Sequence, residues 1–318
     1  MTITTTTNPA MFDQKFYQAM SMRANTHYRE IGRSIAIPAA VIEPLDADEY
    51  KKPIFAQSTG VYGEQDYGVD GDIMVTPKSH KLHYLAAVRS NIYWDVNDQK
   101  REASFLLQKK DDQLKEWARV ADLSVWNGVY SKGFSSVGAG QGVKMNDGIL
   151  TNATAVTNLD GVNSALLAQG DVYKALTKIV ETIPFRYRQN FPIKLAMTSN
   201  FISNANRALF TFSDGSTEWE KFYDKFITKG INGFKVDPDI IVSDEIFGNL
   251  GDTLATDSRV LAFIPDNRVC ERAYSRGFGM LGSKYNEIQG VTEAWATKLG
   301  GCVHDANGVL LTEKITWA

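Results

Sequence analysis

Residues Tyr50–Tyr93 read YKKPIFAQSTGVYGEQDYGVDGDIMVTPKSHKLHYLAAVRSNIY, and no helical stripe can be laid over them. Short β-type runs recur instead, at Ile54-Phe55, Val61-Tyr62, Tyr67 to Val69, Ile73 to Val75 and Leu82 to Val88. Gly60, Gly63, Gly68 and Gly71, followed by Pro77, imply repeated turns between them. Aromatic and charged side chains alternate, but large aliphatics are too few to close a core, and a lone hairpin this polar is marginal in water. Such a segment gains stability by lying across another subunit, where its exposed strand edges find partners.

Outward on the C-terminal side comes the strongest helix signal. Between Gln99 and Val129, Ala103, Leu107, Leu114, Ala118, Ala121 and Val125 recur in steps of three, four and seven, with Trp117 and Trp126 on the flanks. At 1.5 Å per residue the helix is about 40 Å long. Asp95 or Asn97 is placed to cap its start, and Asn127-Gly128 supplies the left-handed residue that ends it. Lys109, Lys110, Asp111, Asp112, Lys115 and Glu116 form a mixed-charge stretch, read as a solvated or subunit-facing side. Residues 131–148 are glycine-rich and read as a loop.

On the N-terminal side, Phe12, Phe16, Ala19 and Met20 recur at helical spacing within residues 11–30, an amphipathic helix that needs a partner surface. The stretch 31–50 loses periodicity around Gly32, Pro38 and Pro44 and reads as an extended connector. The whole first segment looks like an arm.

The second half alternates elements. Val172, Leu176, Ile179, Val180 and Ile183 share a helix face that stops at Pro184. A strand is expected at 193–198, then a helix capped by Ser199 or Asn200 and reaching Leu209. Trp219, Phe222, Tyr223, Phe226 and Ile227 mark a further helix closed by Gly230. Strands are expected at 235–236, 240–242 and 260–264, so helices cover a sheet here. Val291, Ala294, Trp295, Lys298 and Leu299 fit a helix, while the small and β-branched residues around them favour a strand. The Asn307-Gly308 turn signal between apolar runs favours a terminal hairpin.

Composition limits the function classes. The 318 residues are 43% hydrophobic and 22% charged, as in folded globular chains. With 34 basic and 37 acidic side chains there is no global positive field to hold nucleic acid. Cys270 and Cys302 are too few for a disulfide framework and fit a reducing compartment. The N-terminal threonine run lacks the marks of a signal peptide, and no apolar run is long enough to span a membrane.

Catalytic and ligand motifs fail individually. The 133–138 loop has P-loop glycine spacing, but Ala139 stands where that motif needs lysine. Gly138, Gly140 and Gly142 lack the third dinucleotide-binding glycine and follow a helix, so a plain loop is the better reading. Cys302 and His304 have no second ligand pair and read as structural strand residues; His80 and His83 read as exposed, non-liganding histidines. Asp111 and Asp112 diverge by about 100° around a helix, too far apart in direction for paired acid–base work. No catalytic constellation, cofactor or metal site is expected.

The order of elements is an arm, an extended hairpin, a spine helix, an α/β compartment and a returning β segment. It resembles the major capsid protein of tailed bacteriophages, an α+β Hong Kong 97-like fold shared with encapsulin shells. The local matches are EWARVADLSVWNG at 116–128, Asp147-Gly148-Ile149, LAMTSNF at 195–201 and VLAFIPD at 260–266. The resemblance implies an N-terminal arm over 1–49 and an E-loop hairpin over 50–95. It further implies a P-domain over 96–165 with its spine helix at 99–128, an A-domain over 166–289, and terminal strands over 290–318 returning to the P-domain. It implies a non-enzymatic subunit forming hexamers and pentamers of an icosahedral head around double-stranded DNA, located in the virion and assembled in the host cytoplasm. The partners it implies are portal, decoration and separate scaffolding proteins, since only about 45 residues precede the hairpin, and DNA contacted weakly. Inter-subunit contact candidates are Phe12, Phe16, Tyr62, Tyr67, Lys78, Lys81, Lys109, Lys110, Asp111 and Asp112. The alternatives are an encapsulin-type nanocompartment and, more distantly, a cytosolic α/β enzyme.

Overall fold

The computed structural model describes residues 14–44, 47, 49–55, 78–94, 103–128, 148–156, 165–166, 171–188, 191–206, 211–230, 234–250, 257–286 and 290–317. Its first half runs α1 (Gln14–Ile31), a 3-10 turn (Arg33–Ala36), β1 (Ala39–Val41), β2 (Glu49–Phe55), β3 (Lys78–Tyr84), β4 (Ala86–Trp94) and α2 (Ala103–Asn127). Next come β5 (Thr154–Val156), β6 (Ala165–Leu166), α3 (Asp171–Thr182), α4 (Phe185–Arg188), β7 (Lys194–Met197), α5 (Ser199–Asn206) and α6 (Glu218–Phe222). A π-helical stretch (Tyr223–Lys229) continues α6 and leads to β8 (Ile241–Val242) and α7 (Asp244–Phe247). The chain finishes with β9 (Asp257–Ser258), β10 (Val260–Phe263), β11 (Cys270–Asn286), β12 (Gly290–Val303), a 3-10 turn (Ala306–Gly308), β13 (Val309–Thr312) and β14 (Ile315–Trp317).

The described strands form a four-stranded sheet ordered β1-β11-β12-β4, a five-stranded sheet β5-β13-β10-β7-β8, a three-stranded sheet β6-β14-β9 and the two-stranded hairpin β2-β3. The spine helix α2 lies against the first sheet and α1. Leu114, Trp117, Ala118, Ala121, Val125 and Trp126 are all buried, as their spacing requires. Trp117 donates from Nε1 to the Val88 carbonyl at 3.2 Å and meets Phe278 and Trp295 edge-on. Gly128, at φ 70°, ends the helix. Ile149 and Leu150 then donate their N–H groups to the Val125 and Trp126 carbonyls at 3.1 and 2.8 Å, so the returning chain satisfies acceptors of the last turn.

On α1 the buried face is Met20, Ala24, His27 and Tyr28, while Ala19, expected on it, is exposed. The connector carries β1, which joins β11 in parallel. The longest described strand, β11, carries no sequence signal. Its pairing with β12 runs from Cys270↔Val303 to Asn286↔Gly290 with three register shifts, and each bulge breaks the alternation by which a strand is recognised. Residues 86–94, read as part of the hairpin, form the β4 edge of this sheet, from Leu299↔Ala86 to Val291↔Trp94.

In the second half α3 buries its expected face. Thr198, rather than Ser199 or Asn200, caps α5: its Oγ1 accepts from Phe201 N–H at 3.4 Å. A Thr217/Glu220 capping box opens α6, and Gly230 at φ 67° closes the π-helical stretch.

Residues 291–299 are strand, but the terminal hairpin expected about Asn307-Gly308 does not form. A two-residue type I′ turn needs positive φ at both residues, and Gly308 is not among the positive-φ glycines. Asp305 instead accepts from Asn307 N–H at 3.0 Å and sets a 3-10 turn. That turn transfers the chain between sheets: β12 pairs with β11 and β4, whereas β13 pairs with β10 and β5. Strand pairing therefore crosses the boundary expected at residue 290. One apolar core underlies both large sheets, and a small satellite of Ile42, Leu85, Ala273 and Cys302 sits apart. No described helix is long and apolar enough to cross a membrane.

Candidate functional site

Among the described residues no three His, Cys, Asp or Glu side chains converge to hold a metal ion. The polar groups gather instead at structural junctions, and the densest lies at the root of the β2–β3 hairpin. The register Tyr50↔His83 and Lys52↔Lys81 puts these four side chains on one face of the hairpin. Tyr50 Oη and Lys52 Nζ donate to the two oxygens of Glu271 on β11, at 2.8 and 2.7 Å. His304, just beyond β12, lies 3.0 Å from Glu271 Oε2 through Nε2 and 3.0 Å from His83 Nε2 through Nδ1.

The electrostatics follow from burial and these bonds. Burial alone would raise the Glu271 carboxyl, but hydrogen bonds from His304, Lys52 and Tyr50 outweigh it and hold the group at about 2. Burial, with His304 and Lys81 adding to it, lowers His83 to about 4. Burial and Glu271 push the Tyr50 phenol up. The Cys302 thiol is raised by burial and then by Glu271, so it is unsuited to nucleophilic work. This arrangement anchors a hairpin and presents no activated nucleophile. His80 is exposed as expected, but His83 is buried against His304, a correction whose cause is a partner 221 residues away.

A second junction joins α2 to β12. Lys110 and Glu293 have fully buried side chains, both 0% exposed, with Lys110 Nζ donating to Glu293 Oε2 at 2.8 Å. Trp295 Nε1 donates to the same oxygen at 3.0 Å. Burial lowers the Lys110 ammonium despite Glu293 beside it. The reading of Lys110 as a solvated or subunit-facing contact is thus overturned. It stands four residues before Leu114 and seven before Trp117, on the buried stripe of α2.

The other contact candidates are dispersed. Asp111 is engaged within its own subunit, by Arg23 Nε at 2.6 Å, His27 Nε2 at 2.7 Å and Lys115 Nζ at 3.1 Å, and so fastens α1 to α2. Asp112 is 68% exposed, while Lys109 and Lys81 are half-buried. Phe16 lies in α1 and Lys78 opens β3; Phe12, Tyr62 and Tyr67 lie outside the described residues, as does the 133–142 glycine loop. The outer hairpin face exposes Lys51, Pro53, His80 and Leu82, and Val41 on β1 is 80% exposed. Sequence reasoning missed Glu271 and Glu293 because neither belongs to a local motif; only the fold brings them to their partners.

No family model matches the sequence, and no curated protein does. Solved structures do. The chain is similar to a virus-like particle from Pyrococcus furiosus at 10% identity and a TM-score of 0.54, covering 94% of this chain and 100% of that one. It is similar to the capsid of Myoviridae phage XM1 at 10% identity and a TM-score of 0.58, covering 89% of this chain and 90% of that one. The capsid of a native GTA particle matches at 14% identity and a TM-score of 0.53, covering 92% of this chain and 90% of that one. The chain therefore shares its mixed helix-and-sheet fold with these virus-like-particle and capsid proteins, in line with the resemblance drawn from its order of elements.

Proposed function

We propose that the chain is a structural protein and not an enzyme: the major subunit of an icosahedral bacteriophage head, self-assembling into hexamers and pentamers around double-stranded DNA. The observation that carries this reading is fold similarity to particle-forming proteins over about nine-tenths of the chain or more. The β2–β3 hairpin supports it, because it shares no backbone ladder with the other described sheets and shows exposed side chains on its outer face. In this reading 1–49 is the N-terminal arm, the E-loop occupies 50–85, and α2 is the spine of the P-domain. The strand pairing supports assigning β4, β11 and β12 to the P-domain and residues 171–266 with β13 to the A-domain. Portal, decoration and separate scaffolding proteins are the proposed partners, with weakly held DNA inside a virion assembled in the host cytoplasm.

Electron microscopy of the expressed chain tests this directly. Closed shells with six- and five-fold capsomers are expected; monomers or dimers alone, with and without the cognate scaffold, overturn it. The complete coverage of the Pyrococcus particle chain favours an encapsulin-type compartment as the second reading. Packaged enzyme cargo in place of genomic DNA in native particles would decide for it.

A further inference from the structure

The geometry points to the hairpin root as an acid-released latch: protonation of the His83–His304 pair frees the β2–β3 hairpin to move on the body while the sheets beneath it stay folded. The latch belongs to the single subunit and stands whether or not the copies form a shell.

The hairpin is coupled to the body through side chains. Its two strands pair only with each other among the described residues, and the one residue between β3 and β4 is Leu85, buried in the small apolar satellite with Ile42, Ala273 and Cys302. Above that pivot lies a chain of three polar groups, Glu271, His304 and His83. With His304 Nε2–H donating to the carboxylate, His304 Nδ1 is left as acceptor for His83 Nε2–H. One added proton is tolerated, because it can be shared across the two rings beside a carboxylate. A second sets two N–H donors head to head at 3.0 Å, with no acceptor between them.

The surroundings make that second proton disruptive. From β2 the pair faces Tyr50 and Lys52, from β3 Lys81, from β11 Glu271, and from β12 Cys302. The phenol and thiol are neutral, so two ammonium groups already oppose one carboxylate before either imidazole is charged. The sign of the pH dependence follows. His83 has its folded value lowered to about 4 from 6.5, so its attachment is complete above 6.5 and lost as pH falls towards 4. Glu271, held at about 2 against 4.5, remains ionised through most of that window, so its bonds to Tyr50 and Lys52 are not what fails first.

Hydrogen exchange of the purified full-length protein, corrected for intrinsic rates, tests the latch. Between about pH 7.5 and about pH 4.5, amides of 49–55 and 78–84 are expected to lose at least about tenfold in protection, while 194–197 and 260–263 hold theirs. His83→Gln, which can donate but does not titrate, is expected to flatten the response. Lys81→Gln, which leaves both rings in place, is expected to make it shallower, and serves should His83→Gln not fold. The latch is overturned if hairpin protection is unchanged by acid, if it falls together with that of 194–197 and 260–263, or if the variants respond as steeply as the parent.

Discussion

The buried Lys110–Glu293 pair is the residue on which the spine's seating can be measured most sharply. Lys110→Met leaves a carboxylate buried without its cation, and a loss of roughly 3–5 kcal/mol is expected from the denaturant midpoint. Adding Glu293→Gln removes the stranded charge yet keeps an acceptor for Trp295 Nε1, so the double variant is expected to recover most of that loss. A double variant no more stable than Lys110→Met would show that the pair is not the source of the effect. Gly301 is constrained by space in a different way. A Cβ there would lie 2.0 Å from the Val125 carbonyl oxygen, where β12 crosses the end of α2. Gly301→Ala is expected to cost about 1–3 kcal/mol, since neither backbone segment can give way cheaply. An unchanged thermal midpoint would refute that close approach. Neither residue was legible in sequence: a lysine among Lys109, Asp111 and Asp112 looks solvated until the stripe through Leu114 is carried back one turn.

At the scale of elements, legibility depended on period and on distance. The helices α2 and α3 were readable because their apolar spacing is intact, and Gly128 marked the stop of α2, and Gly230 that of the π-helical stretch after α6, by a requirement for positive φ. The β11 strand was not, because its bulges interrupt the alternation, and Asn307-Gly308 misled because its dipeptide suits a hairpin that the pairing of β13 with β10 excludes. The seating of α1 was half legible: its amphipathic face was visible, but not what holds it. Tyr28 Oη and Ser34 Oγ are hydrogen-bonded at 2.5 Å, and Ser34 N–H donates to the buried Asp122 at 2.8 Å, tying the end of α1 to α2. Asp122→Ala strands that N–H and is expected to cost roughly 1–3 kcal/mol, with increased exchange confined to residues 14–36. Burial raises the Asp122 carboxyl, against hydrogen bonds from Ser34 that lower it. Asp122→Asn keeps an acceptor without that buried charge, so it is expected to stay near the parent at neutral pH. Equal losses in both variants would sink the hydrogen-bond account.

For the whole molecule, the contrast is between a body with a continuous apolar core and a β2–β3 hairpin whose described strands stand outside the body's sheets. The body has two large sheets over one continuous apolar cluster, with α2 packed on β4 and β12 of the first sheet and its Trp126 meeting Phe263 of the second. Among the described residues the hairpin adds no ladder bond to those sheets, and its root is fastened to them at Glu271 and His304. Stability and assembly should therefore separate. Replacing residues 56–77 with a short Gly-Ser linker leaves β2, β3 and their root intact, and a shorter loop changes closure entropy by only about 1 kcal/mol. The variant is expected to keep the circular dichroism and unfolding midpoint of the parent subunit but to form no closed particles under the electron microscope. On the proposed reading, in which residues 56–77 join copies, mixing it with parent chain is expected to lower particle yield in a dose-dependent way. Particles of normal size from the variant alone would show that the distal hairpin is not the element joining copies, and loss of the folded subunit would show that it belongs to the core after all.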